Sequence, residues 1–249
     1  QAGDALTTGN SNVALGYVAL STEDQHGNNT ALGNRTLMNQ NAGAEAYNVA
    51  VGADAGLAVT TGIYNTLIGG ATGDNLTDAD KNTAVGFTAL SSDTLGSQST
   101  AVGYQALFTQ NFTTATLANN TAVGYNAGSA ATTAIQNAFL GSRAGESVTT
   151  GNYNVAVGYL AGGHSVDMIT GGYNTILGSY AHTSSTSVNF EIVMGHSVTG
   201  NGENTLCFGN DNTDSAIAFG ATTITAPSDE RYKEDIADST AGLSFIKDL

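Results

Sequence analysis

The sequence predicts an all-β protein, a parallel β-roll or β-solenoid with coils of about 17 residues. Three observations predict it. The motif at residues 82–86, Asn-Thr-Ala-Val-Gly, recurs about ten times, and its closing glycines Gly69, Gly86 and Gly103 are each 17 residues apart. Such a fixed step is typical of solenoids, whose units bury their apolar faces only by stacking on one another. The 32 glycines with a single proline exclude collagen and proline-rich linkers.

Each copy of the motif has the pattern of a short strand that ends at a glycine. Thr83 and Val85 are β-branched and lie on one face of an extended strand, while Ala84 lies on the other. We expect the β-branched row to fill the coil interior and the small row to face a close neighbour. The closing glycines are Gly16, Gly33, Gly52, Gly69, Gly86, Gly103, Gly124, Gly141, Gly158 and Gly178, followed at shorter steps by Gly195, Gly209 and Gly220.

Threonine pairs before several copies, as at Thr60 and Thr61, predict a second short strand and a second corner in each coil. Gly and Asn follow them, and both residues tolerate the positive φ of tight corners. Tyrosines recur beside these corners, and we expect them to stack in ladders. The ladders would serve packing or, as the alternative, sugar binding. These tyrosines are Tyr17, Tyr64, Tyr104, Tyr125, Tyr153, Tyr159 and Tyr173.

The copies end in two ways, with Ala-Leu as at Leu90 or with Ala-Gly as at Gly128. We expect leucine to plug the coil interior and glycine to leave room for a neighbour. Insertions at residues 40–46, 109–118 and 163–169 should bulge as loops, where contacts with other molecules are common.

A coil this small encloses only one or two Val or Leu side chains per layer. That burial falls short of the backbone entropy lost on folding, about 1–2 kcal/mol per residue. We therefore expect other chains to pack on the small Ala and Gly row, and a homotrimer around one axis is the favoured assembly.

Composition narrows the partners and the chemistry. Six basic and 21 acidic residues give a net charge of −15, which disfavours nucleic acid and anionic membranes. No apolar run approaches the roughly 18–20 residues of a membrane span. The single cysteine, Cys207, is expected to be a buried small hydrophobe, with a reactive or metal-bound thiol as the alternative.

The motif copies at residues 48–52, 82–86 and 154–158 resemble the head repeat of trimeric autotransporter adhesins. The resemblance covers roughly residues 5–220 and implies three left-handed parallel β-rolls associated side by side. The period here is longer than that family's usual coil. Repeats of this kind also occur in bacteriophage tail fibres.

Residues 1–221 form the repetitive region, and residues 222–249 differ in pattern. Leu243, Ile246 and Leu249 form a narrow apolar stripe, which predicts a short C-terminal helix. Ser228 before Asp229 is consistent with a helix cap. The alternative is a Ser228–Lys233 pair for acyl chemistry, because a serine hydroxyl becomes nucleophilic when a base takes its proton.

Residues 228–236, followed by 242–246, resemble the start of the intramolecular chaperone domain of endosialidases and phage tail spikes. The resemblance implies that this region assists trimerisation. It also implies self-cleavage between Ser228 and Asp229, with Ser228 as nucleophile and Lys233 as its base. Tyr232 stands where that family more often has leucine.

Other polar groups give weaker signals, and we expect no metal and no cofactor. The four histidines are scattered, without the spacing of a zinc site. An acidic turn offers oxygen ligands for calcium but lacks an EF-hand's glycine and closing glutamate, so a polar turn is favoured. Two acid pairs could suggest a glycosidase, although loop acids are far commoner. These residues are His26, His164, His182 and His196; Asp211, Asn212 and Asp214; and Asp78 with Asp80 and Glu23 with Asp24.

Two classes of function follow from these patterns. The first is a structural fibre protein of a virion, extracellular, trimeric and attached to a host cell-surface receptor such as a glycan. The second is a bacterial surface adhesin of the trimeric autotransporter type. An enzyme is not expected, apart from at most a single self-cleavage after Ser228.

Overall fold

The computed structural model describes residues 1–163, 167–210 and 214–221, and it confirms the predicted parallel β-solenoid. Twelve short strands stack in parallel, in sequence order, through about eleven turns. They are β1 (Val13–Leu15), β2 (Thr30–Leu32), β3 (Val49–Val51), β4 (Thr66–Ile68), β5 (Thr83–Val85), β7 (Thr100–Val102), β9 (Thr121–Val123), β10 (Ala138–Leu140), β11 (Val155–Val157), β12 (Thr175–Leu177), β13 (Ile192–His196) and β14 (Thr205–Asn210).

Three further strands complete the structure. β15 (Ser215–Ala218) pairs antiparallel with β14 and ends the main sheet. β6 (Gly96–Ser97) and β8 (Thr116–Leu117) form a separate two-stranded sheet, so the insertion at 109–118 is partly ordered as a strand. The described residues contain no helix, and so none that could cross a membrane. The predicted C-terminal helix and the region 222–249 lie outside the described residues.

Equivalent positions of successive coils lie side by side. Thr83 pairs with Thr100, and in the same register Val85 pairs with Val102. Because every parallel pairing keeps this register, each position of the repeat becomes a row that runs along the solenoid. The properties of one position therefore decide the properties of a whole face.

The faces of the strand are the reverse of what the sequence analysis predicts. Ala84 is fully buried, whereas Thr83 and Val85 on either side are only half-buried. The alanine row lies inside the coil, where Leu90 from the opposite wall packs against it and is also fully buried. The coil is too narrow for β-branched side chains on one wall and leucine on the other. The Ala row therefore cannot face other chains, while the role of leucine as a plug is confirmed.

The glycine endings make room for large side chains, as expected. Phe139 occupies the strand position that is alanine in most coils, and it is fully buried. A Cβ on Gly128 of the preceding coil would lie 2.7 Å from the Phe139 ring, and a Cβ on Gly145 of the same coil would clash with the other edge of that ring. Where the strand position holds a large residue, the facing wall holds glycine, so the volume of the core stays nearly constant along the solenoid.

The repeat asparagines form a buried hydrogen-bond ladder that the sequence analysis missed. The Oδ1 of Asn65 accepts a hydrogen bond from the backbone N–H of Asn82 (2.9 Å), and its Nδ2 donates to the carbonyl of Ala79 (2.8 Å). Both contacts join one coil to the next and satisfy buried backbone groups. The same role is taken by Asn12, Asn29, Asn48, Asn65, Asn82, Asn120, Asn137, Asn154 and Asn174 as acceptors of the following coil's N–H.

The predicted second strand of each coil is absent from the threonine lead-ins. Thr60 instead donates from its backbone N–H (3.0 Å) and its hydroxyl (3.2 Å) to the carbonyl of Thr77 in the next coil. Left-handed φ values nearby, such as +61° at Tyr64, bend the chain too sharply for an extended ladder. This wall of the coil is therefore a series of bends that are cross-linked to the next coil.

Candidate functional site

The outer face of the main sheet carries an apolar row along its whole length. This outer apolar row is the third residue of each main-sheet strand from β1 to β12, with its equivalents in β13 and β14. It comprises Leu15, Leu32, Val51, Ile68, Val85, Val102, Val123, Leu140, Val157, Leu177, Met194 and Phe208. Several members are well exposed, from 36% at Val123 to 66% at Leu15.

The surroundings of this row are also uncharged. The parallel row at the first strand position holds Val, Thr, Ala, Ile and Leu, as in Thr100 and Val155. At about 4.8 Å between strands, twelve strands give an apolar band about 50 Å long. Bands of that size are unusual on monomeric proteins and mark interaction surfaces.

Aromatic ladders form at the corners, as the sequence predicts. Tyr104 stacks between Phe87 (5.9 Å between ring centroids) and Tyr125 (5.4 Å), with ring planes within 17°. A second ladder places Tyr173 between Tyr153 (4.7 Å) and Phe190 (4.9 Å). Inner rings cover each other's faces and present edges to solvent. Since sugars stack on ring faces, this geometry favours packing over a sugar-binding strip at the inner positions.

The predicted self-cleavage residues lie outside the described residues. Ser228 and Lys233 both fall in the region 222–249, so their geometry is not part of the described structure and their roles stay predictions. The first two residues of the predicted calcium turn, Asp211 and Asn212, are outside it as well.

The described member of that turn, Asp214, lies at the end of the solenoid. Its Oδ2 accepts a hydrogen bond from the backbone N–H of Thr199 at 3.2 Å. Together with Cys207 and Ala216 it lines a cleft of about 560 Å³ between the paired strands β14 and β15 and the segment 199–201. One carboxylate oxygen of Asp214 is thus already engaged in a hydrogen bond to the backbone.

The first acid pair of the sequence analysis has a structural role. The Oδ1 of Asp78 accepts a hydrogen bond from the hydroxyl of Thr61 (2.6 Å), and the Oδ1 of Asp80 accepts from the backbone N–H of Ile63 (2.8 Å). Each donor lies in the preceding coil. Both carboxylates therefore hold adjacent coils together, and this accounts for them without catalysis.

The environment of Cys207 matches that of a buried hydrophobe, as expected. The residue is 1% exposed and belongs to the apolar core. Desolvation by burial raises the pKa of its thiol, so the nucleophilic thiolate is disfavoured.

The histidines occupy unrelated places, and His164 is outside the described residues. His182 is buried near the end of the solenoid, and His196 packs edge-on against Tyr180 with 5.9 Å between ring centroids. His26 lies beside Glu23 and Asp24, a grouping that the sequence analysis did not connect. The signal available in the sequence was the short spacing Glu-Asp-x-His.

Comparison with protein-family models, curated proteins and solved structures finds no match to this chain.

Proposed function

We propose that this chain is a segment of a trimeric fibre that attaches a virion to its host, of the phage tail-fibre or tail-spike type. The observation that carries the proposal is the outer apolar row, exposed on a single chain along the full stack of strands. The occupants we propose for it are two further copies of the same chain. Three identical rows in the same register can meet around one axis, whereas the fully buried alanine row cannot.

The other features are consistent with a stiff extracellular shaft. Each coil is tied to the next by strand pairing, most coils also by a buried asparagine and several by stacked rings, so the body resists bending. Its net charge of −15 keeps particles apart in solution. A host cell-surface receptor, such as a glycan, would be bound outside the trimer axis. The region 222–249 would assist trimerisation, and its part from Asp229 onward would be released by cleavage after Ser228.

The oligomeric state tests the surface assignment. The expected result is a particle of about three times the 25.1 kDa chain mass in light scattering. Replacing Val123 and Leu140 by lysine should abolish this trimer, because two charges per chain would be buried at the axis. The control carries lysine at the exposed Thr113 and Thr133, away from the row. A monomeric wild-type chain would contradict the proposal.

Cleavage separates the virion fibre from the bacterial adhesin. Mass spectrometry of the complete gene product should find a fragment that ends at Ser228, and Ser228→Ala should prevent its formation. An intact chain continuous with an outer-membrane anchor would instead support the autotransporter adhesin.

A further inference from the structure

Three residues with metal-binding side chains meet in the loop after β1. One ligand atom from each of Glu23, Asp24 and His26 lies within 4.8 Å of the other two. Glu23 is buried, while Asp24 and His26 are partly exposed. This is the one such group of three among the residues that the structure describes.

Glu23 is the unusual member, because it is a wholly buried carboxylate with few partners. Its Oε1 accepts a hydrogen bond from the backbone N–H of His26 (3.1 Å) and lies 3.5 Å from the Nδ1 of the same residue. Its Oε2 has no hydrogen-bond partner, and neither has the shielded Nδ1 of His26. Neither lysine nor arginine pairs with Glu23 among the described ion pairs. A buried carboxylate oxygen without a partner is costly, and a donor or a cation beside it would remove that cost.

The repeat contains an internal comparison. Asp93 occupies the equivalent position four coils later, at the same distance of nine residues after the strand centre, and is equally buried. It accepts three hydrogen bonds, from the N–H of Gly96 (3.1 Å), the N–H of Phe112 (3.0 Å) and the Nε2 of Gln110 (2.6 Å). The residue equivalent to Gln110 in the first coils is Gln40, whose Nε2 has no partner. Of the three donors that satisfy Asp93, Glu23 keeps only the backbone N–H three residues further on, which is that of His26.

We propose that Glu23, Asp24 and His26 bind a divalent first-row metal ion such as Zn²⁺. One imidazole nitrogen and two carboxylates form a mixed nitrogen and oxygen set that suits such an ion, with water completing its coordination. The ion supplies the counter-charge for Glu23 and uses the unpaired Nδ1 of His26.

The site would also strengthen the first coils. The carbonyl of Asp24 accepts hydrogen bonds from the backbone N–H (2.8 Å) and the hydroxyl (2.9 Å) of Thr7 in the preceding coil. An ion held by the side chain of Asp24 therefore fixes a loop to which the preceding coil is attached. Metal binding should raise the stability of this end of the solenoid.

Calorimetric titration of the chelator-treated protein with ZnCl2 tests the proposal. We expect one ion per chain and a higher thermal midpoint with the ion bound. His26→Ala and Asp24→Asn should each weaken the affinity by about tenfold or more, while the control His196→Ala should leave it unchanged. A crystal grown with Zn²⁺ should show an anomalous peak among the three side chains.

Two results would overturn the proposal. One is the absence of Zn²⁺ binding. The other is binding that His26→Ala leaves intact. Stability measurements on Gln40→Met would then show whether Gln40 satisfies Glu23 directly, since in that case the variant should lose stability, as is expected of Gln110→Met, which removes the hydrogen bond to Asp93.

Discussion

Removing one rung of the asparagine ladder should destabilise the protein strongly. In Asn65→Ala the backbone N–H of Asn82 loses its acceptor, 2.9 Å away, and the carbonyl of Ala79 loses its donor, 2.8 Å away. Both groups belong to fully buried residues. An unsatisfied buried group costs about 1–3 kcal/mol, so the expected loss in the free energy of unfolding is about 2–6 kcal/mol. Urea unfolding followed by circular dichroism at constant protein concentration measures it.

Two companion variants make the test specific. Thr113→Ala removes an exposed side chain without a hydrogen bond and should change stability by less than about 0.5 kcal/mol. Asn65→Asp keeps the acceptor but turns a carboxylate oxygen towards the carbonyl of Ala79, which raises the folded-state pKa of the new carboxyl. Its stability should be highest below pH ~3.9 and fall as the pH rises through that folded pKa. A loss in Asn65→Ala no larger than that of Thr113→Ala would refute the ladder's role.

Four other perturbations have defined outcomes. Gly86→Ala, at φ +136° with its new Cβ 2.6 Å from the carbonyl carbon of the next repeat glycine, should lose more than about 3 kcal/mol of unfolding free energy. The control Gly43→Ala, which meets no atom within 4 Å, should lose about 1 kcal/mol. Tyr104→Ala removes two stacking contacts and should cost about 1–3 kcal/mol, while Tyr104→Phe keeps them; equal losses would exclude stacking. Burial raises the pKa of Asp74, so this carboxyl lowers the free energy of unfolding once the pH rises above its unfolded pKa. Asp74→Asn should therefore stabilise the protein at pH 7 but not near pH 3, which urea unfolding at both pH values measures. Cys207 should resist alkylation until the protein is unfolded in urea, and rapid labelling of the native protein would contradict its burial.

The period and the strand position could be predicted from the sequence because they depend on local chemistry. A glycine such as Gly86 recurs where a Cβ would strike the neighbouring coil, and that requirement leaves a mark at every step. The choice of inner face depends instead on the width of the coil. Ala84 and Val85 alternate in the sequence in the same way whichever of them faces inward, so only the position of Leu90 across the coil decides between them.

The candidate surface and the buried polar groups were harder to predict. The outer apolar row becomes visible once the inner face is known. One buried position of the repeat is apolar in some coils, as at Val59 and Leu76, and polar in four others. The four polar residues are Glu23, Gln40, Asp93 and Gln110. A charged or amide residue in a surface-like sequence context gives no sign of being buried, because its partners come from the adjacent coil.

The exchange of large and small residues around Phe139 has a consequence for folding fidelity. Nearly identical coils could otherwise join out of order, with one repeat skipped and the rest still paired. Phe139 lies between two glycines of the facing wall, Gly128 and Gly145, and Leu67 likewise lies between Gly56 and Gly73. If the preceding repeat were skipped, a leucine would lie against Phe139 or Leu67 in place of glycine. The overpacked core would destabilise that misaligned stack. The irregular coils thus fix the order in which otherwise similar repeats stack.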